Sequence, residues 1–276
     1  MSSLEPSTTI TLSSSTKIPQ LGFGVYRSDP EVAERTVTTA LEAGYRHIDS
    51  AQWYFNEAEV GSAVQSSSVP RSSIFLTTKL GHADRIVERL NESVEKIAPG
   101  DGGYVDLFLI HAPSAGPEKR KEQWKALEDL VQQGKAKAIG VSNYGVKHLQ
   151  EMEGYAKIPP AVNQIELHPW CQQPDIVDYC QSHNIALEAY SPLVQAQKTS
   201  DPTLQKIAKD TGKSWAQVLI RWSLQRGFIP LPKSDTKERI IANKDVFDFE
   251  LTKEQMDALN GLDKDEHVCL NPTKCP

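Results

Sequence analysis

Short apolar runs recur along this chain, separated by amphipathic stretches, and that alternation limits the folds open to it more than any other feature. The runs are Leu21–Val25, His47–Asp49, Ile74–Thr78, Val105–Ile110, Ala138–Val141, Val162–Glu166, Ala186–Ala189 and Phe228–Leu231. Their brevity and their apolar or β-branched character fit strands buried on both faces. Between them, Glu31–Ala43, Ile86–Ile97, Glu118–Gln133 and Asp175–His183 have helical period, and Gly44 and Gly134 supply helix stops. Strands alternating with helices predict a parallel sheet covered on both faces. Eight such strands in 276 residues predict an α/β fold closed as a (β/α)8 TIM barrel, a single domain over residues 1–276. The alternating segment Thr8–Pro19 is expected to form a β-hairpin capping the barrel bottom.

The doubly wound nucleotide fold is the competing architecture. Its G-x-G-x-x-G fingerprint should follow an early strand. Gly22 and Gly24 begin such a pattern, but Arg27 stands where the third glycine belongs. Gly100, Gly102 and Gly103 precede a strand instead of following one. A formal charge of −6 with scattered basic residues argues against a nucleic-acid partner. The polar, Ser/Thr-rich start lacks the order of a signal peptide, and no apolar run reaches membrane-spanning length. Cys171, Cys180, Cys269 and Cys275 form no C-x-x-C pair, which points to a reducing, cytoplasmic setting. A tail bridge between Cys269 and Cys275 is the disfavoured alternative.

Chemistry-bearing residues gather where the predicted strands end. In chain order they are Asp49, Lys79, His111, Ser142-Asn143, Gln164 with Glu166, Tyr190-Ser191 and Lys233-Ser234. In a barrel those carboxyl ends share one rim, and active sites occupy it. Asp49, Tyr54, Lys79 and His111 make a chemical set. A phenol is a weak acid at neutral pH, and an ammonium beside it lowers its pKa. Asp49 would hold Lys79 charged, and His111 would donate to a substrate oxygen or assist a proton relay. Each residue also has a bland reading. Asp49 alone reads as a helix cap, as does Ser142-Asn143. Tyr54 and Tyr190 read as packing, Lys79 as a solvated charge, His111 and His168 as wall histidines. Arg239 reads as a surface partner of Asp235.

The motifs resemble those of the aldo-keto reductase superfamily from about Ile18 to Leu259. Gly44-Tyr45-Arg46-His47-Ile48-Asp49-Ser50-Ala51-Gln52-Trp53-Tyr54, with Asn56-Glu57, is similar to the family's first signature. Asp106-Leu107-Phe108-Leu109-Ile110-His111 resembles its central strand. Ala138 through Asn143, Ala161 through Glu166 with His168-Pro169, and Ala189 through Leu193 resemble the second signature and its continuation. Leu231-Pro232-Lys233-Ser234 through Arg239 resembles the third.

The resemblance implies an NADP(H)-dependent oxidoreductase that reduces aldehydes and ketones to alcohols. It implies a tetrad of Asp49, Tyr54, Lys79 and His111, with Tyr54 as general acid. Ser142, Asn143 and Gln164 would hold the nicotinamide carboxamide, and Tyr190 would stack on the ring. Ser191 and Leu193 would line the pyrophosphate; Lys233, Ser234, Arg239 and Asn243 would hold the adenosine end. Independently, a short helix opening after the last strand suits phosphate, and Lys233 and Arg239 suit a 2′-phosphate. Val25, Tyr26, Trp53 and Ala112, with Phe23 and Trp170, are the expected substrate walls. Ala112 replaces a tryptophan common in the family, and Ala242 a glutamate. The tail after Leu262 and the loop after Leu193 are expected to be too short to fold far over the rim. By resemblance the protein is a monomer whose only partner is a small carbonyl compound.

Three other functions remain open on sequence. A Schiff-base lyase acting through Lys79 would trap substrate under borohydride but leaves Tyr54 unexplained. A metal-dependent hydrolase is opposed by the seven histidines, which show no H-x-H or H-x-x-x-H spacing. A redox-sensing subunit would need a partner surface.

Overall fold

The computed structural model describes residues 4–276. A hairpin of β1 (Thr9–Thr11) and β2 (Lys17–Pro19) comes first. There follow β3 (Phe23–Gly24), α1 (Pro30–Glu42), β4 (His47–Asp49), α2 (Glu57–Ser66), β5 (Phe75–Leu80), α3 (Ile86–Ile97) and β6 (Val105–Ile110). Next are α4 (Pro117–Gln132), β7 (Ala136–Ser142), α5 (Val146–Glu153), β8 (Val162–Glu166), α6 (Pro174–Ser182) and β9 (Ala186–Tyr190). The chain ends with α7 (Pro202–Thr211), α8 (Trp215–Gln225), β10 (Ile229–Pro230), α9 (Lys237–Lys244), α10 (Lys253–Asn260) and a tail. Proline opens α1, α4, α6 and α7, where its missing N–H costs no helical bond.

Strands β3 to β10 lie parallel in sequence order. The two outer strands meet: Gly22 N donates to Pro230 O and Gly24 N to Pro232 O, each at 3.1 Å. The expected (β/α)8 fold is present. β3 and β10 are the shortest strands, two residues each. Pro230 and Pro232 donate no N–H, so the seam carries few ladder bonds.

Period-two alternation sorts the strand side chains. Leu107 and Leu109 of β6 join Ala138, Val162 and Ile229 in a cluster that includes Leu12 and Ile18 of the hairpin. The hairpin thus caps the barrel bottom, as its alternation predicts. Phe108 and Ile110, on the other face of β6, belong with Leu90, Trp124 and Leu127 of the helices. Gly140 is required here, because a Cβ would lie 2.5 Å from Val162 O. All four cysteines are free thiols, so the tail bridge is absent. No helix of the described residues is long and apolar enough to cross a membrane.

Candidate active site

The strand ends bring the four residues of the chemical set together. Asp49 closes β4, and Lys79 lies inside β5, which runs on to Leu80 beyond the predicted Thr78 end. Tyr54 ends a 3-10 turn, Gln52–Tyr54, and His111 follows β6. Lys79 Nζ has no solvent access and donates to Asp49 Oδ1 at 2.6 Å, Ser50 O at 2.9 Å and Tyr54 Oη at 3.2 Å. Asp49 is therefore an ion-pair partner, not a cap. The His111 ring stacks on Trp53 at 4.4 Å and meets Tyr54 edge-on at 5.5 Å. Its Nδ1 is buried without a hydrogen-bond partner among the described residues.

The turn bearing Tyr54 is held by polar bonds that the sequence motif encodes. Asn56 accepts from Ser50 Oγ and donates to Val25 O and Ser28 O, which ties the turn to the loop after β3. Glu57 accepts from Thr78 and Ser93. Gln52 Oε1 accepts from Gly81 N. Gly81 also makes room for Trp53, whose Nε1 would lie 2.4 Å from a Cβ there.

These surroundings set the charge states. Burial works against the Lys79 ammonium, but Asp49 and Tyr54 outweigh it and hold it above the usual lysine range. Burial pushes the Tyr54 phenol up to about 12, although Lys79 pulls the other way. The lowering expected from Lys79 is therefore present but outweighed by burial. Burial, aided by Lys79, keeps His111 well below the ordinary histidine range, so its ring is neutral near pH 7.

Beside the tetrad lies a polar group from β7, β8 and β9. Ser142 Oγ donates to Gln164 O at 2.8 Å. Asn143 Nδ2 donates to His111 O and Ser142 Oγ, each at 3.0 Å, and Tyr190 Oη donates to Asn143 Oδ1 at 2.8 Å. Helix α5 is capped by Gly145, so Ser142 and Asn143 are not its cap. Gln164 Nε2 donates to Asp49 Oδ2, while Gln164 Oε1 accepts no bond from the described residues.

Further along the rim, Ser191, Val194, Gln195 and Ala196 have φ between +47° and +61°. That region is uncommon for any residue but glycine and an outlier for a β-branched one such as Val194. Nothing in Ser191–Ala196 announces it, since the segment has no glycine or asparagine. Beyond β10, Lys233 donates to Arg27 O and pairs with Asp235, which also accepts from Ser28. Asp235 is thus occupied, and exposed Arg239 has no ion-pair partner among the described residues. Ser234 and Asn243 are nearly buried beside them.

The expected substrate walls divide. Tyr26 and Trp53 are exposed, with Tyr26 tilted on Tyr54 at 5.1 Å, and Ala112 is partly exposed next to His111. Val25, Phe23 and Trp170 are corrected: each is buried and offers no surface to a ligand. Phe23 packs on Tyr45, while Trp170 O accepts from Lys264 N and Glu266 N of the tail. The tail is also longer in reach than expected. Val268 N and Cys269 N donate to Glu166, Cys269 Sγ lies 3.3 Å from Ser191 Oγ, and Cys275 O meets His148 Nε2 at 2.9 Å. Buried Glu166, expected only as a rim residue beside Gln164, also meets His168 at 2.9 Å and anchors the tail.

The Aldo/keto reductase family model matches residues 20–264. The chain belongs to the aldo/keto reductase family. It is 43% identical to glyoxal reductase of Bacillus subtilis, over 96% of each chain. An aldo-keto reductase from a Medee basin deep-sea metagenome library superposes with a TM-score of 0.92 at 40% identity, covering 97% of this chain and 99% of the other. A Bombyx mori aldo-keto reductase solved in complex with NADP gives a TM-score of 0.87 at 36% identity, covering 96% of each. In this aldo-keto reductase, Asp49, Tyr54, Lys79 and His111 meet at the carboxyl ends of β4, β5 and β6. A separate surface cleft at the other barrel end, lined by Arg46, Asp106 and Lys137, lies beside the hairpin and away from the tetrad.

Proposed function

We propose that this enzyme reduces aldehydes and ketones to alcohols with NADPH, Tyr54 supplying the proton. The observation that carries the reading is Lys79, buried and bonded to both Asp49 and Tyr54, beside a neutral His111. When bound, the reduced nicotinamide supplies the hydride. Tyr54 Oη gives its proton to the carbonyl oxygen, and the Lys79 ammonium stabilises the phenolate left behind. His111, neutral and stacked on Trp53, has one N–H with which to orient that oxygen. Ser142, Asn143 and Gln164 would hold the carboxamide, with Tyr190 against the ring. Ser191 and Leu193 would line the pyrophosphate. Lys233, Ser234, Arg239 and Asn243 would hold the adenosine end. Arg239 supports NADP over NAD, because its guanidinium has no ion-pair partner among the described residues and suits a 2′-phosphate.

Tyr26, Trp53 and Ala112 border the reacting groups with aromatic surface and little bulk at position 112. We read the substrate site as an open, mainly apolar cleft for varied small carbonyl compounds. The name of the Bacillus relative suggests dicarbonyls as a first choice. We also read the enzyme as a cytoplasmic monomer of one domain. The Schiff-base alternative suits this lysine poorly, since all its bonds hold the ammonium form. The test is to mix pure protein with NADPH and glyoxal, phenylglyoxal or an aryl aldehyde. Loss of reduced-nicotinamide absorbance with matching alcohol supports the reading. NADPH binding without oxidation across the panel overturns it.

A further inference from the structure

Beneath the tetrad, Gln164 of β8 meets Glu188 of β9, which in turn faces His47 of β4, and the reaction above uses neither Glu188 nor His47. All three are buried. Gln164 and Glu188 are register partners on adjacent strands. Gln164 Nε2 donates to Glu188 Oε2 at 2.6 Å as well as to Asp49 Oδ2 at 2.9 Å. The other Glu188 oxygen faces His47 Nε2 at 3.4 Å. His47 is itself boxed in. Phe75 lies edge-on at 5.0 Å, and a Cβ on Gly22 would come within 2.7 Å of its Nδ1.

We propose that Glu188 is a positioning residue, whose carboxyl fixes the Gln164 amide so that Gln164 offers its oxygen to the nicotinamide carboxamide. This rests on the cofactor reading above. Both N–H groups of Gln164 are committed, one to each carboxyl, which leaves Oε1 as its free group. Oε1 therefore selects a donor, and the amino group of a carboxamide is one. Asp49 alone would leave the amide a single bond to pivot on. A second bond on the same nitrogen fixes the plane of the group. Burying a carboxyl is costly, and an apolar side chain would fill the same space without that cost. Burial and nearby Asp49 raise the Glu188 carboxyl above the usual range, so it adds no second negative charge beneath the tetrad near pH 7.

The test compares binding of NADP with binding of 3-acetylpyridine adenine dinucleotide phosphate, which has a methyl group where the carboxamide has its amino group. Fluorescence titration gives both constants without turnover. The wild type should prefer NADP by about five- to tenfold, the range of one hydrogen bond. Glu188→Gln, whose oxygen still accepts from Gln164, should keep that preference. Glu188→Leu should reduce it to less than about twofold, with binding of adenosine 2′,5′-bisphosphate unchanged. If the Leu variant does not fold, Glu188→Thr, too short to reach Gln164, is read the same way. A Leu or Thr variant with the wild-type preference overturns the proposal, as does a Gln variant that loses it. A wild type that binds neither dinucleotide refutes the cofactor reading instead.

Discussion

Tyr54 and Lys79 sit 3.2 Å apart, and the division of labour between them makes the first expectation quantitative. On the proposed reading the hydroxyl is the proton source, and the ring and its neighbours shape the site. Tyr54→Phe should leave NADPH binding nearly intact and lower turnover by about 10²–10⁴-fold, the usual worth of general acid catalysis. A variant that keeps more than about a tenth of the turnover, with chemistry limiting, would move the proton source elsewhere. Arg239 carries a different expectation. Lys233 is already held by Asp235 and Arg27 O, whereas Arg239 has no ion-pair partner among the described residues. Arg239→Ala should weaken NADPH binding by about 1.5–3 kcal/mol, the worth of a charged hydrogen bond, and leave NADH binding nearly unchanged. Equal weakening of both cofactors in a fluorescence titration would assign Arg239 to folding or to a shared part of the cofactor.

The strands and helices were legible because their signals are local. Ile86–Ile97, Val105–Ile110 and Val162–Glu166 have the bounds their periodicity predicts. The meeting of Asp49, Tyr54, Lys79 and His111 was legible for the same reason: they lie at or near strand ends within recognisable motifs. The tail's hold on Glu166, the place of Glu188 and the positive φ values within Ser191–Ala196 were not. Glu166 meets Val268 and Cys269 about a hundred residues away, and no local pattern links them. Val25 and Phe23 misled because they sit near a strand end, while the face they present depends on which neighbours cover them. The hairpin gives a test at this scale. Ile18 is fully buried against the inward face of the barrel. Ile18→Ala should cost about 2–5 kcal/mol of stability, the range for emptying a buried aliphatic site. Denaturant unfolding should show that loss while NADPH affinity stays within about twofold, a span of under 1 kcal/mol. A matching loss of affinity would mean that the barrel bottom and the rim are coupled.

Buried ionisable groups give the whole molecule a defined pH range. His47 is held down to about 3 by burial, with Lys79 adding to it. Burial likewise lowers His111 and His148. In the unfolded chain each takes a proton below about 6.5. The unfolded state then binds more protons, so these histidines stabilise the fold above about 6.5 and lose that contribution as pH falls. Glu57 and Glu188 act in the opposite sense. Burial raises both, so the fold keeps protons that the unfolded chain releases above about 4.5. Their contribution is full below that value and is lost as pH rises through the raised one. Between about 4.5 and 6.5 three histidines oppose two carboxyls, and stability should rise with pH. Above about 6.5 only the carboxyls change, and it should fall until they ionise. His47 and Glu188 face each other, but one proton shared by the pair gives the same count whichever residue holds it. Thermal unfolding scanned in steps of pH should therefore give a midpoint that peaks near about 6.5. His47→Gln should flatten the acid flank. A midpoint that falls steadily from about 4.5 to 8 would mean that these histidines carry their charge inside the fold.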